Sequence, residues 1–402
     1  MSASGHDSGS PPSGMISLHV PTSPQARAKR RIATLMEEVE LLKQDKATKQ
    51  RKTTYYVSQG REIRRLVALY TPIEDLIAEN DRRCEYEDTS GVSTVEQDRL
   101  QRSYVKLVKA LPWIHDKIAS LDDEESEDML KKLKRGADSA RGDDTGTLKE
   151  LVASWVNIEF RPTPLISTND KHHRGFVNDT CVIFRILYCL HLYVADTMRS
   201  NVKAGIRDRT TAFIVSENSW PLFMYQNCAA DAGNLEHGLM KSKLLVMGLK
   251  ALFTSPSSAS EMDGEGQGTD IIENNRRARR QDQAKVKTCV ASIIGMRKVT
   301  PRAIAYTACQ IRFALSSITS WRNVDGDFDY EIFWTNIVDF FEDAPGPAVR
   351  ARVNELLEWW TRKVFGRNHR QDLTSDVISR MSVRTLAAQR LAMEDAALDS
   401  DS

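Results

Sequence analysis

The sequence predicts a mainly α-helical protein: a helical bundle or array domain preceded by a long basic helical arm, with disordered N- and C-terminal tails. Three observations support this fold class. Apolar residues recur at three- and four-residue steps through most of the chain, proline and glycine separate these runs, and the alternation typical of strands is scarce. With 402 residues, 28% of them charged and 41% hydrophobic, the chain is long enough for two domains and tails.

The densest apolar stretch, residues 300–366, is predicted to form three consecutive helices that make up the core. Thr300 can cap the first helix, and Pro301 suits its first position because the donor that proline lacks has no partner there. Asp329 is the predicted cap of the second helix, which follows a polar turn over 323–327. Gly366 stands where a glycine is expected to end the third helix.

Each of the three helices carries an apolar stripe on one face. The stripes are Ile304, Ala308, Ile311, Leu315 and Ile318; then Tyr330, Phe333, Trp334, Ile337, Val338 and Phe341; then Val349, Val353, Leu356, Leu357, Trp360 and Val364. Trp334 and Trp360 lie in the middle of complete stripes, so we expect both to face the same apolar interior. Cys289 and Cys309 lie in helical stripes, and we expect both to pack as small apolar residues.

The N-terminal part is predicted to be a tail and an arm. Residues 1–26 are rich in Ser, Gly and Pro and are interpreted as disordered. Residues 27–70 are interpreted as one long basic helix, since no glycine or proline interrupts them before Gly60. A coiled-coil rhythm of three- and four-residue steps runs through Ile32, Leu35, Val39 and Leu42, but the residues that continue it are polar. Two interpretations stay open: a long solvated helix that packs at its two ends, and a coiled coil through which two copies associate.

Between the arm and the core we predict short helices and a linker over residues 71–146, the main domain over 147–366 and a mobile tail over 367–402. Residues 136–146 are interpreted as the linker that ends this region. Capping-box spacing at Ser93 with Glu96, and at Thr147 with Glu150, predicts two helix starts.

The chemistry-bearing residues do not form a recognisable catalytic, cofactor or metal site, and we expect no enzymatic activity. His172, His173, Cys181, Cys189 and His191 are the one metal-like group, and they lack the close pairs that zinc sites use. Asp325, Asp327 and Asp329 resemble the start of a calcium loop, but the loop's glycine and closing glutamate are absent, so a turn and a helix cap are favoured. Gly264, Gly266 and Gly268 lack the spacing of a phosphate-binding loop. We therefore predict no cofactor.

A basic cluster follows a loop rich in Ser, Gly and acidic residues. Its members, which we consider candidates for contact with nucleic acid or an importin, are Arg276, Arg277, Arg279, Arg280, Lys285 and Lys287. The alternative is a solvated helix face paired with Asp270, Glu273 and Asp282.

Several separated motifs resemble one family. They are residues 171–176 (KHHRGF), 220–225 (WPLFMY), 238–245 (GLMKSKLL), 253–258 (FTSPSS) and 299–306 (VTPRAIAY), with the 333–342 stripe and Trp359-Trp360. Together they resemble a large family of uncharacterised proteins, a domain of unknown function, from mushroom-forming basidiomycete fungi. The resemblance covers roughly residues 148–366 and implies no catalytic residues. Residues 181–194 depart from it: this apolar run is interpreted as a buried helix or strand, or else as an unspliced intron in the gene model.

The expected setting follows from the cysteines and the lack of targeting signals. Six scattered cysteines and the absence of an opening signal peptide predict an intracellular protein, cytoplasmic or nuclear, without membrane attachment. Its function is unknown from sequence. The favoured prediction is a non-enzymatic protein-interaction module, or scaffold, with a protein partner and with self-association through the arm. The alternative is a nuclear nucleic-acid-associated protein that uses the basic clusters 27–52 and 276–287.

Overall fold

The computed structural model of the protein describes residues 24–85, 93–177, 182–187, 200–210, 213–260, 266–280, 288–366 and 374–400. The chain divides into two units, Met1–Tyr55 and Tyr56–Ser402. The predicted mainly α fold is confirmed: within the described ranges, the named strands are two short ones that pair as an antiparallel hairpin, where the sequence predicted a polar turn. Residues 1–23, the larger part of the predicted N-terminal tail, lie outside the described residues.

The helices are numbered in chain order. They are α1 (Pro24–Gly60), α2 (Ile63–Leu66), α3 (Ile73–Glu85), α4 (Val95–Ala110), α5 (Ile114–Ser120), α6 (Asp123–Phe160), α7 (Val182–Leu187), α8 (Ser200–Arg207), α9 (Lys243–Phe253), α10 (Gly268–Arg280), α11 (Val290–Ile293), α12 (Pro301–Leu315), α13 (Tyr330–Glu342), α14 (Gly346–Phe365), α15 (Ser375–Ser379) and α16 (Ser382–Ser400). The strands β1 (Val324–Asp325) and β2 (Phe328–Asp329) precede α13, and short 3-10 turns cover Leu222–Met224, Gln226–Cys228 and Ser258–Ser260.

The centre of the larger unit is α12. Every residue from Arg302 to Leu315 is buried, and the helix packs against α6, α9, α13 and α2. The sequence predicted one buried face, whereas the structure surrounds the helix on all sides, which its small alanines and few charges allow. The core prediction is confirmed as well, because Trp334 and Trp360 are both buried in the one hydrophobic cluster that contains α12.

The predicted helix ends of this region are confirmed. The Thr300 hydroxyl accepts a hydrogen bond from the Ala303 N–H at 3.2 Å. Asp329 accepts from the backbone N–H groups of Glu331 and Ile332 at 2.7 and 3.0 Å. Gly366 follows α14 with a φ of 73°, a conformation that glycine adopts without strain. These ends depend on side chains near in sequence, so local pattern was sufficient to place them.

The predicted linker over 136–146 is wrong, because these residues lie inside the continuous helix α6. Its glycines have different surroundings. A Cβ atom at Gly136 would lie 2.0 Å from the carbonyl oxygen of Val57, and one at Gly60 would lie 2.0 Å from that of Leu133. The two glycines therefore let the last turn of α1, which belongs to the larger unit, cross α6 at backbone contact. The predicted cap at Thr147 is wrong for the same reason: it lies within α6 and donates to the Asp143 carbonyl oxygen.

The predicted helical arm ends earlier than expected. The helix stops at Gly60 rather than continuing to residue 70, and α2 turns into the larger unit. There Ile63 and Val67 are buried in a second hydrophobic cluster with residues of α3, α4, α5 and α6. The start of α4 also differs from the prediction, because Thr94 and Gln97, not Ser93 and Glu96, form the capping box.

Two further segments are described in part. The C-terminal segment, predicted to be a mobile tail, contains the helices α15 and α16, and its predicted apolar residues Val377, Met381, Leu386 and Leu391 are exposed. In the apolar run 181–194, α7 buries Ile183, Ile186 and Leu187, in agreement with the interpretation of a buried helix. The other residues of that run lie outside the described residues.

Candidate functional site

The basic cluster predicted from the sequence is described in part. Arg276 Nη2 and Arg277 Nε lie 3.0 and 3.1 Å from the same Glu273 oxygen, and both arginines are about half exposed. These two hydrogen bonds, that of Arg276 first, lower the pKa of Glu273. One carboxylate therefore partly neutralises this part of the cluster. The side chains of Arg279, Arg280, Lys285 and Lys287 lie outside the described residues.

The metal-like group is also described in part. His172 and His173 are exposed, and Cys181, Cys189 and His191 lie outside the described residues. Within the described ranges, no group of three or more His, Cys, Asp or Glu residues is arranged to hold a metal ion. The glycines of the 264–268 stretch that are described, Gly266 and Gly268, approach the backbone at the end of α14.

Two residues of the 171–176 motif cap the C-terminal end of α12. Lys171 Nζ donates to the carbonyl oxygens of Phe313, at 2.6 Å, and of Ile318. Arg174 Nη1 donates to the Ala314 carbonyl oxygen at 2.8 Å. Carbonyl groups at a helix end have no partner within the helix, so buried ones require donors from elsewhere. The motif thus supplies these donors from a turn far away in sequence.

The pKa of Lys171 is lowered to about 7, mainly by its burial and then by the nearby charge of Arg174. Asp325 acts in the opposite direction, and Arg312 adds to the lowering. Arg174 and Arg312 therefore both lie near enough to Lys171 to disfavour its charged form.

A cavity of about 210 Å³ lies beside this end of α12. Its walls come from the turn at Gly175, the end of α8, the residues that follow α12, and the turn between β1 and β2. The lining residues are Gly175, Phe176, Val177, Ile206, Arg207, Arg209, Val215, Arg312, Ser316, Ser317, Asp325, Gly326 and Asp327. Three arginines and two aspartates belong to this lining, and Arg207 is paired with Asp208 at 3.7 Å.

Arg312 is the most unusual residue of this lining. It is only 3% exposed, and its guanidinium carbon lies 4.4 Å from the centre of the Phe328 ring. Its Nη1 is 3.6 Å from Asp325 Oδ2, which is an ion pair too long for a hydrogen bond. Its Nε is fully buried and has no hydrogen-bond partner among the described residues. Of the five N–H donors of this guanidinium, the one on Nε is therefore buried without a partner.

The rim of the cavity is more exposed than the surroundings of Arg312. Arg209 Nε is 4.0 Å from Asp327 Oδ2, and both side chains are exposed. The Arg209 guanidinium also passes over Gly326, where a Cβ atom would lie only 2.6 Å from Nη2. Gly326 has a φ of 70°, so glycine meets both the turn geometry and the close approach.

A second cavity, of about 280 Å³, lies between α4 and α13. Two of its arginines form close salt bridges: Arg99 Nη2 is 2.6 Å from Asp339 Oδ2, and Arg302 Nη2 is 3.0 Å from Glu342 Oε2. Arg302 donates further to the Ser103 hydroxyl. These contacts hold α4, α12 and α13 together, so we interpret this cavity as structural and the Arg312 cavity as the candidate site.

The sequence did not predict this site. Arg312 falls within the first predicted helix of residues 300–366, and Asp325 and Asp327 fall in or beside the predicted turn. The sequence pattern singles out none of Arg207, Arg209 and Arg312. The one available signal was an arginine inside the most apolar helix of the chain, where a charge is seldom buried without a partner. The structure brings these residues together from segments that are widely separated in sequence.

Comparison with known proteins gives one family. Its model, Family of unknown function (DUF6698), matches residues 135–365, which is more than half of the 402 residues and includes the whole Arg312 cavity. No curated protein and no solved structure matches the chain. None of the helices in the described ranges has the length and apolar character needed to cross a membrane. The resemblance to a domain of unknown function is confirmed, and its fungal origin stays a prediction. The chain belongs to the DUF6698 family of unknown function.

Proposed function

We propose that the protein is a non-enzymatic, intracellular interaction module that associates with a second copy of itself through α1. The observation that carries this proposal is an exposed apolar seam on that helix. Ile32, Leu35, Val39 and Leu42 are between 48% and 65% exposed. Contiguous apolar surface of this kind is costly in water, and burial against a partner removes the cost.

The residue types along the seam favour a parallel pair of helices. Ile32 and Val39 occupy the first (a) position of successive heptads, and Leu35 and Leu42 occupy the fourth (d) position. Residues branched at Cβ, such as Ile and Val, at position a with leucine at position d favour two-stranded parallel coiled coils. Lys46, at the next a position, adds a polar residue of the kind that limits the number of strands at some cost in stability.

Charge also supports a second copy as the partner. In a parallel pair, Glu38 at position g of one helix lies beside Lys43 at position e of the other. The same pairing occurs twice by symmetry, and both contacts join opposite charges. Within one helix, Lys43 already lies 3.8 Å from Glu40. An exposed pair of this length contributes little, so Lys43 can exchange it for an interhelical contact.

The test is the mass of the full chain in solution as a function of concentration. Wild type should shift from monomer to dimer, and Leu35→Glu with Leu42→Glu should remain monomeric. The control is Gln44→Glu with Ala47→Glu, which adds the same charge on exposed positions outside the seam and should still dimerise. A wild type that stays monomeric at its highest soluble concentration, or a seam variant that dimerises as well as the control, would contradict the proposal.

A charge-reversal experiment tests the parallel orientation. Glu38→Lys alone should weaken the dimer because it places two lysines together at each contact. Glu38→Lys combined with Lys43→Glu should restore association, since opposite charges face each other again. Failure of the double variant to recover would exclude the parallel arrangement even if dimers form.

The alternative is a nuclear protein that binds nucleic acid through residues 27–52 and 276–287. A filter-binding titration at low and moderate salt separates it from the scaffold, because each neutralised phosphate releases counterions and steepens the salt dependence. Replacing Arg276, Arg277, Arg279 and Arg280 with glutamine should then flatten that dependence. The sharing of Glu273 by two of these arginines favours the scaffold.

A further inference from the structure

We propose that the cavity beside α12 binds a small oxyanion, a phosphate or a carboxylate, with the Arg312 guanidinium as its main contact. The proposal goes beyond self-association, because the site lies in the larger unit and uses none of the α1 seam.

Arg312 is not needed for the roles that usually explain a basic residue at a helix end. Arginine in the last turn can interact with the negative end of the helix dipole or with the final carbonyl groups. Here Lys171 and Arg174 already donate to the carbonyl oxygens of Phe313, Ala314 and Ile318. The Arg312 guanidinium makes no hydrogen bond to a described residue: it stacks on Phe328 and has Asp325 as an ion-pair partner at 3.6 Å.

A second buried arginine on the same helix shows the difference. Arg302 is also almost completely buried, and its guanidinium donates to Glu342, Ser103 and the Val67 carbonyl oxygen. Burying a guanidinium without such partners is strongly unfavourable. An oxyanion in the cavity would offset that cost for Arg312, because two of its oxygens match the planar fork of a guanidinium.

The rest of the lining fits the same ligand. Arg207 and Arg209 lie at the rim, and Ser316 and Ser317 line the cavity beside Arg312. Ser316 Oγ donates to the Phe313 carbonyl oxygen, so Ser317 is the hydroxyl better placed to serve a ligand. Arg207 is paired with Asp208 at 3.7 Å. Arg209 and Arg312 lie 4.0 and 3.6 Å from the two aspartates of the hairpin, too far for hydrogen bonds, so their N–H groups can serve a small anion.

Cavity size limits the ligand further. A volume of about 210 Å³ is below the roughly 300–1,000 Å³ of sites that enclose drug-sized molecules. A whole nucleotide is therefore too large to be enclosed. Inorganic phosphate, a phosphate group at the end of a larger molecule, and a small carboxylate all present the same recognisable chemistry.

The test is calorimetric titration of the full chain with sodium phosphate, sodium sulfate and sodium acetate, against sodium chloride at equal ionic strength. Saturable binding of one oxyanion per chain is expected. Saturable binding of phosphate and sulfate identifies a tetrahedral ligand, whereas saturable binding of acetate alone identifies a carboxylate. Melting temperatures in the same salts are a second measurement. Phosphate and sulfate raise protein stability generally by exclusion from the surface, so only a difference between wild type and variant counts as evidence of binding.

Arg312→Gln should weaken binding at least about tenfold, because hydrogen bonds to a charged group are lost. Arg312→Lys should recover only part of the affinity, since an ammonium cannot form the paired contacts. Arg209→Gln, at the exposed rim, should weaken binding by no more than about fivefold. The control is Arg352→Gln, an exposed arginine on α14 that pairs with Glu236 and should leave binding unchanged.

The proposal is overturned if none of the three oxyanions binds saturably, or if Arg312→Gln binds with unchanged affinity. If Arg312→Gln does not fold, Arg209→Gln and Ser317→Ala decide the matter, because both lie in the lining and neither is completely buried. Weakened binding in these two variants and not in Arg352→Gln supports the site. Equal binding in all of them refutes it.

Discussion

Arg65 and Asp144 form a buried, two-point ion pair that joins α2 to α6. Arg65 Nε lies 2.8 Å from Asp144 Oδ2, and Nη2 lies 2.7 Å from Oδ1. Tyr306 of α12 donates its hydroxyl to the same carboxylate at 2.7 Å. Asp144 and Tyr306 lie within the residues that match the family, and Arg65 lies before them. The helix α2, which precedes the family region, is thus fixed to its core by a buried polar contact.

Asp144→Asn should lower the free energy of unfolding by about 3–5 kcal/mol, because it leaves the Arg65 charge buried without its partner. Chemical denaturation measures the effect. Asp143→Asn is the matched control: Asp143 pairs with Arg61 at 2.7 Å, but its side chain is 64% exposed, so the loss should be under about 1 kcal/mol. Equal losses in the two variants would show that burial does not decide the strength of these pairs.

Gly136→Ala should destabilise the protein by at least about 3 kcal/mol, since the new Cβ atom meets the Val57 backbone and neither helix can move without disturbing the core. Gly142→Ala is the control of opposite sign. No atom lies within 4 Å of a Cβ there, so the higher helix propensity of alanine should add about 0.5–1 kcal/mol. Thermal and denaturant unfolding of both variants test the crossing of α1 and α6. A stable Gly136→Ala protein would contradict it.

Trp334→Ala should cost about 3–5 kcal/mol, because Trp334 is buried in the main cluster and packs beside the Arg302 guanidinium. Trp359→Ala should cost less, about 1–2 kcal/mol, because Trp359 is only half-buried at the edge of the same cluster. Denaturant midpoints are the measurement. Unchanged midpoints in the Trp334 variant would exclude it from the core.

Glu62→Gln should stabilise the protein at pH 8 by up to about 3 kcal/mol and have no effect near pH 4.5. Burial raises the pKa of Glu62 to about 7 from an ordinary 4.5, and Arg65 opposes the change only in part. The contribution of Glu62 to stability is therefore fully present below pH 4.5, and it is lost as pH rises through about 7. Glutamine imitates the protonated form. Unfolding curves from pH 4 to pH 8 test this.

Glu79 provides the control with the opposite sign. Hydrogen bonds from Arg82 and then Arg83 outweigh its burial and lower the pKa of Glu79 to about 2. Its contribution to stability is present above pH 4.5 and is lost as pH falls toward 2. Glu79→Gln should therefore destabilise the protein at pH 7, and the difference from wild type should shrink on acidification. The same pH trend in both variants would contradict these assignments.

The sequence by itself determined the helical class and the helix ends in residues 300–366. Thr300, Asp329 and Gly366 act on backbone groups within a few residues, so their effect can be predicted from spacing alone. The exposed seam of α1 was also visible in the sequence. The sequence did not show what covers that seam, so a solvated helix and a coiled coil between two copies both stayed open.

Only the tertiary structure decided which glycines end a helix and which let two helices meet. Gly136 and Gly142 look alike in sequence, yet one touches the Val57 backbone and the other has open space around it. Packing overrides the low helix propensity of both, and α6 continues through the predicted linker. The Arg312 site depends on the same kind of long-range contact. Lys171 and Arg174 cap α12 from well over a hundred residues away. The carbonyl groups at that end therefore do not use the N–H groups of Arg312, and residues near Arg312 in the sequence could not predict this.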